Sequence, residues 1–205
     1  MSPAPTLGAL FLGSGPRFAR DALGPTLVFY AGWKLHGLGV GVVAATIVTA
    51  VVYVWERRRG RTGLAARIGL AIALVQAAAG LLSGSAVAYF LPPVIINGVY
   101  GLAFVVSVAI GRPLAGVFAS EIYPFPPEAK ASVTFRRTFS RVSLVWGIYL
   151  LGRSALRLLV LTHMSVDVFV AVNIVTGIPF TAALMSWSLW YGLRRFRRST
   201  EFART

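Results

Sequence analysis

Cysteine is absent from this sequence of 205 residues, and acidic residues are scarce. Without a thiol the chain can form no disulfide, no thiolate metal site and no cysteine nucleophile. Only 6 residues are Asp or Glu, against 20 that are Lys or Arg, and the formal net charge is +14. Charged residues make up 13% of the chain, where a soluble domain usually has about 25%. Because 57% of the residues are hydrophobic, the composition predicts a membrane protein.

The longest stretch without charge runs from residue 68 to residue 111, between Arg67 and Arg112. About 20 apolar residues in a helix cross a bilayer, so a run of roughly twice that length predicts a transmembrane hairpin. Pro92 and Pro93 lie near its centre. Since proline cannot continue a helix interior without disruption, we expect the turn of the hairpin at these two prolines.

Apolar runs elsewhere have the length of membrane spans. With the two halves of this hairpin they predict five firm spans, at 38–55, 64–82, 94–111, 139–161 and 168–193. Residues 22–33 are apolar but would rise only about 18 Å as a helix, against a hydrocarbon core of about 30 Å. They form a short tilted span, a re-entrant segment or an interfacial helix. Pro179 is expected to kink the last span without ending it.

These spans define the fold class and the domain organisation. We predict an all-α, polytopic transmembrane helical bundle with five to six spans arranged as hairpins and no soluble domain. Residues 1–21 form a flexible cytoplasmic tail that lacks the pattern of a cleaved signal, residues 22–198 the membrane domain, and residues 199–205 a cytoplasmic tail. Prolines and charges make residues 113–137 a cytoplasmic loop, with a short interfacial helix at 114–122.

Basic residues cluster at 57–67, 112–141 and 194–204, whereas the alternate connections at 83–93 and 162–167 hold no Lys or Arg. The positive-inside rule therefore places the basic side and the C-terminus in the cytoplasm. The Ala, Gly, Val and Arg bias is typical of a high-GC bacterial genome, so the expected location is a bacterial plasma membrane. The expected partners are the lipid bilayer and anionic lipid at the cytoplasmic face. Nucleic acid is not expected, because the arginines lie at span ends and not on a soluble face.

Three segments share an aromatic-rich helix end followed by a glycine-bearing or polar span. They begin at Phe29, at Tyr89 and at Asp167. The pattern favours three consecutive helical hairpins with their turns outside, as in transporters built from internal repeats. The alternative is that aromatic residues simply belong at membrane interfaces.

The stretch from Leu27 to Gly37, LVFYAGWKLHG, is followed by Ala44-Ala45-Thr46 and a basic loop. In these letters, and in the order of spans, the chain resembles the intracellular septation protein A family and its uncharacterised relatives. The resemblance implies a small inner-membrane protein linked to cell division and envelope biogenesis. It gives Lys34 a specific role, and it places Asn97 near the position where the family usually has another lysine. It implies no catalytic residue.

The predicted span at 139–161 is unusual because it carries Arg153 and Arg157. Spaced i and i+4, the two arginines share one helix face. Arg157 lies near the outer end and can snorkel, while Arg153 lies roughly mid-membrane, where an arginine costs at least about 2.5 kcal/mol. One interpretation is a site for an anion or lipid headgroup. The other is a structural pair with Asp167, assisted by amides such as Asn97 or Asn173.

No catalytic constellation, metal cluster or cofactor motif is found, and polar side chains such as Gln76 and Ser107 are expected to form interhelical hydrogen bonds. The leading hypothesis is a non-enzymatic membrane protein of the bacterial cell envelope. It would act with division or envelope-synthesis membrane proteins, or as a homo-oligomer. The alternative is a small transporter or channel for an anionic solute or lipid that uses Arg153 and Arg157. A membrane enzyme acting on a lipid is the weakest option.

Overall fold

The structure is a computed structural model that describes residues 24–60, 64–122 and 125–197. Within these ranges the chain forms eight helices and no strand, so the all-α class is confirmed. The helices are α1 (24–36), α2 (Leu38–Arg58), α3 (Leu64–Ser83), α4 (Ala86–Ala109), α5 (Leu114–Ile122), α6 (Pro127–Ala131), α7 (Val133–His163) and α8 (Val166–Arg197). The predicted tails at 1–21 and 199–205 lie outside the described residues.

Four of the described helices, α2, α4, α7 and α8, are long and apolar enough to cross a membrane, which makes the chain a multi-pass membrane protein. The predicted count of five to six spans is not confirmed. Helix α3 contains a shorter apolar stretch, Arg67–Ser83. The segment predicted as a short first span is helical from residue 24 to residue 36.

The chain divides into two compact units. One comprises the chain up to Pro93 together with Leu161–Ile174, and the other comprises Val94–Val160 and the chain from Val175 onward. Helices α4, α7 and α8 therefore each contribute one segment to each unit.

The core of the first unit is aromatic. Phe29 is completely buried, and its ring stacks on that of Tyr89 at a centroid distance of 4.2 Å. Phe90 lies 4.8 Å from the Phe29 ring and 4.8 Å from the ring of Phe169, which is also completely buried. The three similar segments singled out in the sequence therefore converge on one cluster.

Helices α1 and α2 form a hairpin whose turn is Gly37, at a φ of 88° that favours glycine. The two backbones come very close, because a Cβ atom added at Gly32 would lie 2.9 Å from the Cα of Gly41. Small residues at helix crossings allow this packing in membrane proteins.

The turn between α3 and α4 lies at Gly84 and Ser85, with Gly84 at a φ of 64°. The prediction of a turn at Pro92 and Pro93 was therefore wrong, because both prolines lie inside α4. Proline removes the N–H group that would bond to the carbonyl four residues earlier, which for Pro93 is the carbonyl of Tyr89. Gln76 on α3 replaces the missing donor: its Nε2 donates to the Tyr89 carbonyl oxygen at 3.2 Å.

In the second unit α4 and α7 pack backbone against backbone. A Cβ atom at Gly101 would lie 2.8 Å from the backbone nitrogen of Leu151, and one at Gly147 would lie 3.0 Å from the carbonyl oxygen of Gly101. The Ser154 hydroxyl donates to the Val94 carbonyl oxygen at 2.7 Å. These contacts fix the position of α7 along α4.

The helix predicted at 114–122 is confirmed as α5. Its first N–H groups are capped from the neighbouring helices, since Ser107 Oγ accepts from Leu114 N and Ser143 Oγ accepts from Ala115 N, both at 3.0 Å. The predicted loop at 113–137 contains more helix than expected, because α6 follows and α7 already begins at Val133.

Replacing Gly101 by Ala should destabilise the protein by roughly 1–3 kcal/mol, because the new methyl group meets the backbone of α7 and cannot be accommodated by a side-chain rotation. Thermal unfolding in detergent would measure this. Gly152→Ala on α7 is the control, since a Cβ there meets nothing within 4 Å. Equal stability of the two variants would contradict the close crossing of α4 and α7.

Replacing Gln76 by Met should cost about 0.6 kcal/mol, the usual size of an interhelical hydrogen bond in a membrane. The cost should fall in a Pro93→Ala background, because the N–H of the new alanine can bond to the Tyr89 carbonyl. A double-mutant cycle of unfolding free energies measures the coupling. An identical cost in both backgrounds would show that Gln76 does not substitute for the donor missing at Pro93.

Candidate functional site

The candidate site lies on the face of α7 that carries Arg153 and Arg157, one helical turn apart in the second unit. Only 4% of Arg157 is exposed, whereas Arg153 is half-buried. Arg157 was expected to be able to snorkel towards the outer interface, but protein encloses its side chain. Taking a guanidinium out of water costs several kcal/mol unless other groups compensate for the lost hydration.

Helix α8 makes room for the guanidinium of Arg153 at Gly177. A Cβ atom at Gly177 would lie 2.9 Å from Nη2 of Arg153, so a larger side chain at position 177 would displace the guanidinium. Gly177 is itself buried. Gly177 was not among the residues singled out in the sequence.

Tyr149, one turn before Arg153 on α7, joins α7 to α8. Its hydroxyl donates to the carbonyl oxygen of Thr176 at 2.7 Å and lies 3.1 Å from Oγ1 of Thr181. The Thr176 carbonyl lies three residues before Pro179, where the proline ring disturbs the helical ladder. Helix α8 continues across Pro179, as predicted.

The other residues singled out in the sequence are distributed between the two units. Asn97 is half-buried on α4 in the same unit as both arginines, and it adjoins Gly98, whose Cβ position lies 3.0 Å from Ser154 Oγ. Asp167 and Asn173 on α8 belong to the first unit, and Asn173 is half-buried.

Asp167 forms an ion pair with Lys34. Nζ of Lys34 lies 2.9 Å from Oδ2 of Asp167, and about half of each side chain is exposed. Lys34 also lies over the rings of Tyr30 and Trp33, at 5.8 and 5.4 Å from their centroids. The ion pair that the structure shows at Asp167 is thus with Lys34 and not the predicted one with Arg153.

The Lys34–Asp167 pair also changes the titration of its neighbours. The hydrogen bond to Asp167 raises the pKa of Lys34 above its ordinary value, and a hydrogen bond with the same carboxylate raises the pKa of Tyr30. A group with a raised pKa contributes its stability below the pKa of the unfolded chain and loses it as the pH rises through the folded pKa. The contribution of Lys34 is therefore complete at neutral pH and is lost only in alkaline solution, above the ordinary pKa of lysine.

No three side chains of the kind that hold a metal come together among the described residues. Nδ1 of His163 lies 2.7 Å from Oγ1 of the adjacent Thr162. Arg153 and Arg157 offer the chemistry of guanidinium groups, which are permanent cations with planar arrays of donors suited to carboxylate and phosphate.

Comparison with known proteins shows one family. A model of the family described as "Protein of unknown function (DUF3159)" matches residues 13–199, and the chain belongs to this family. No curated protein matches, and no solved structure matches. None of these comparisons links the chain to the intracellular septation protein A family, so that resemblance stays a prediction.

Because the chain has no cysteine, the Lys34–Asp167 contact can be tested by cross-linking. A Lys34→Cys, Asp167→Cys variant should react with a short bismaleimide to give an intramolecular cross-link in high yield. Protease digestion and gel electrophoresis measure that yield. Leu35→Cys with Asp167→Cys is the control, since Leu35 is 74% exposed and lies on an adjacent face of α1. Equal yields would argue against the pairing.

Proposed function

We propose, for this member of the DUF3159 family, a non-catalytic role: binding an anionic group within the membrane through Arg153 and Arg157. The observation that carries this proposal is the burial of Arg157, 4% exposed, on a helix of transmembrane length. Ionisable residues inside a membrane are costly and by default mark a binding site or a pathway. Two guanidiniums on one helix face attract an anion more strongly than either does alone.

The surroundings of the two arginines support a binding site. Gly177 leaves space for one guanidinium, and the Tyr149 hydroxyl holds α7 against α8 one turn away. Groups fixed in this way lose little freedom on binding, which favours affinity. The ligand chemistry is that of an oxyanion, a phosphate or carboxylate, because these accept two parallel bonds from one guanidinium.

Two sources can supply such an oxyanion: the headgroup of a membrane lipid or a small solute. For a solute, the same face would form part of a transport pathway, since arginines that face the interior of a helical bundle mark such pathways. A half-buried amide in the same unit, Asn97 on α4, is a candidate for an additional donor.

Replacing Arg157 by Gln should weaken binding of the anion on the order of thirtyfold, because a charged hydrogen bond is lost from a water-poor site. Calorimetric titration of the purified protein with inorganic phosphate and, separately, with dispersed short-chain phosphatidylglycerol measures the affinity and identifies the source. Arg58→Gln, an exposed arginine at the end of α2, is the matched control.

Thermal unfolding of the same variants separates a structural role from a binding role. If Arg157→Gln does not fold, Arg157→Lys keeps the charge and loses the planar donor array, and it should bind more weakly while it remains folded. Unchanged affinity for both probes in a folded Arg157 variant would contradict the proposal.

We further propose that the chain lies in a bacterial plasma membrane with its basic connections in the cytoplasm, as the positive-inside rule favours. A single cysteine in place of Leu82, which is 89% exposed beside the α3–α4 turn, should react with an impermeant maleimide in intact cells. A cysteine in place of the exposed Glu128 on α6 should react only after lysis. The reverse pattern would invert the orientation.

The resemblance of residues 27–37 to the septation protein A family supports a role beside division or envelope-synthesis membrane proteins. Those residues include Phe29, at the centre of the aromatic cluster, and Lys34, which pairs with Asp167. Co-purification of such proteins with the wild-type chain, reduced by Lys34→Ala, would support this second role. Their absence from the purified material would count against it.

A further inference from the structure

Two arginines from different helices meet at one phenol oxygen near the last turns of α8. Nη1 of Arg141 on α7 donates to the Tyr191 hydroxyl oxygen at 3.0 Å, and Nε of Arg195 on α8 donates to the same atom at 3.3 Å. Both arginines are exposed and Tyr191 is half-buried. All three residues belong to the second unit.

This arrangement brings two permanent positive charges to a single neutral oxygen. Each guanidinium carries five N–H donors, and the contact with Tyr191 uses one from each. The two charges repel one another, and an anion that bridges them removes that repulsion. A phosphate group, with several acceptor oxygens and at least one negative charge, matches two guanidinium groups better than a neutral acceptor does.

The neighbouring aromatic residues indicate where such a phosphate would come from. The Trp187 ring stacks on Tyr191 at 5.2 Å, and the guanidinium of Arg194 lies 5.1 Å from the ring centre of Trp190. Tryptophan and tyrosine collect at the headgroup level of a bilayer, and α8 is one of the helices of transmembrane length. Arginines beside these rings are therefore at the level of the lipid phosphates.

We propose that Arg141, Tyr191 and Arg195 form a binding site for the phosphate of an anionic phospholipid. The site is separate from Arg153 and Arg157 in sequence and chemistry, because it is exposed and built on a phenol. Tyr191 acts as the positioning residue, since its hydroxyl holds the two guanidiniums near one another when the lipid is absent. The half-buried Tyr191 ring, stacked on Trp187, keeps that hydroxyl in place.

Native mass spectrometry of the purified full chain tests the proposal. Titration with phosphatidylglycerol should give one tightly bound lipid, and Arg141→Gln with Arg195→Gln should weaken that binding about tenfold. Arg136→Gln with Arg137→Gln removes the same charge from exposed positions near the start of α7 and should change the affinity by less than about twofold. Arg153→Gln in parallel shows whether a bound lipid belongs to the other site.

Equal weakening in both double variants would overturn the proposal, because it would reduce the effect to general attraction between basic residues and anionic lipid. The assignment to an anionic lipid would also be overturned if phosphatidylcholine bound as tightly as phosphatidylglycerol. Displacement of the bound lipid by millimolar inorganic phosphate would overturn it as well. If the Gln variant does not fold, Arg141→Lys with Arg195→Lys keeps both charges and should still weaken binding several-fold, because the paired donor geometry is lost.

Discussion

Each backbone N–H and C=O group within a membrane span must find a partner inside the protein, because hydrocarbon offers none. The side-chain chemistry of this bundle follows that constraint. Gln76 donates to the carbonyl that Pro93 leaves without its helical donor, and Tyr149 donates to the Thr176 carbonyl, three residues before Pro179 on α8. Ser107 and Ser143 accept from the first N–H groups of α5. Pro93 inside α4 is thus tolerated because a polar side chain from a neighbouring helix compensates for its missing N–H group.

Backbone contact between helices is the second consequence of a membrane environment. Lipid chains are as apolar as leucine, so van der Waals packing between closely approaching backbones has to hold the helices together. The close contact between Gly32 and Gly41 joins α1 to α2, and the close contact between Gly101 and Gly147 joins α4 to α7. In the second contact the glycines bring α7 so close to α4 that the Ser154 hydroxyl reaches the Val94 carbonyl. The helix that carries Arg153 and Arg157 is therefore held along much of its length.

Composition and charge-free runs were sufficient to predict the helical class, the membrane location, α5 and the continuity of α8 across Pro179. The predicted turn at Pro92 and Pro93 was wrong, because the sequence shows that proline lacks an N–H group but does not show which side chain replaces it. The replacing donor, Gln76, lies on another helix. One interpretation paired Asp167 with Arg153, because Asp167 was the acid expected near the outer face, but folding brings it to Lys34 instead. Such pairings depend on helix orientation, which span patterns do not contain. Tyr149 and Gly177 were missed because a tyrosine and a glycine in an apolar span usually serve packing alone.

The most direct test of the anion site is a structure determined by electron cryo-microscopy in a lipid nanodisc, with attention to the surroundings of Arg157. If the two arginines bind an anion, the map should contain density for a phosphate or carboxylate group within hydrogen-bonding distance of the Arg153 or Arg157 guanidinium, and Arg157→Gln should lose that density. A map in which protein groups alone surround both guanidiniums, with the same helix positions in the variant, would contradict anion binding and make the two arginines structural.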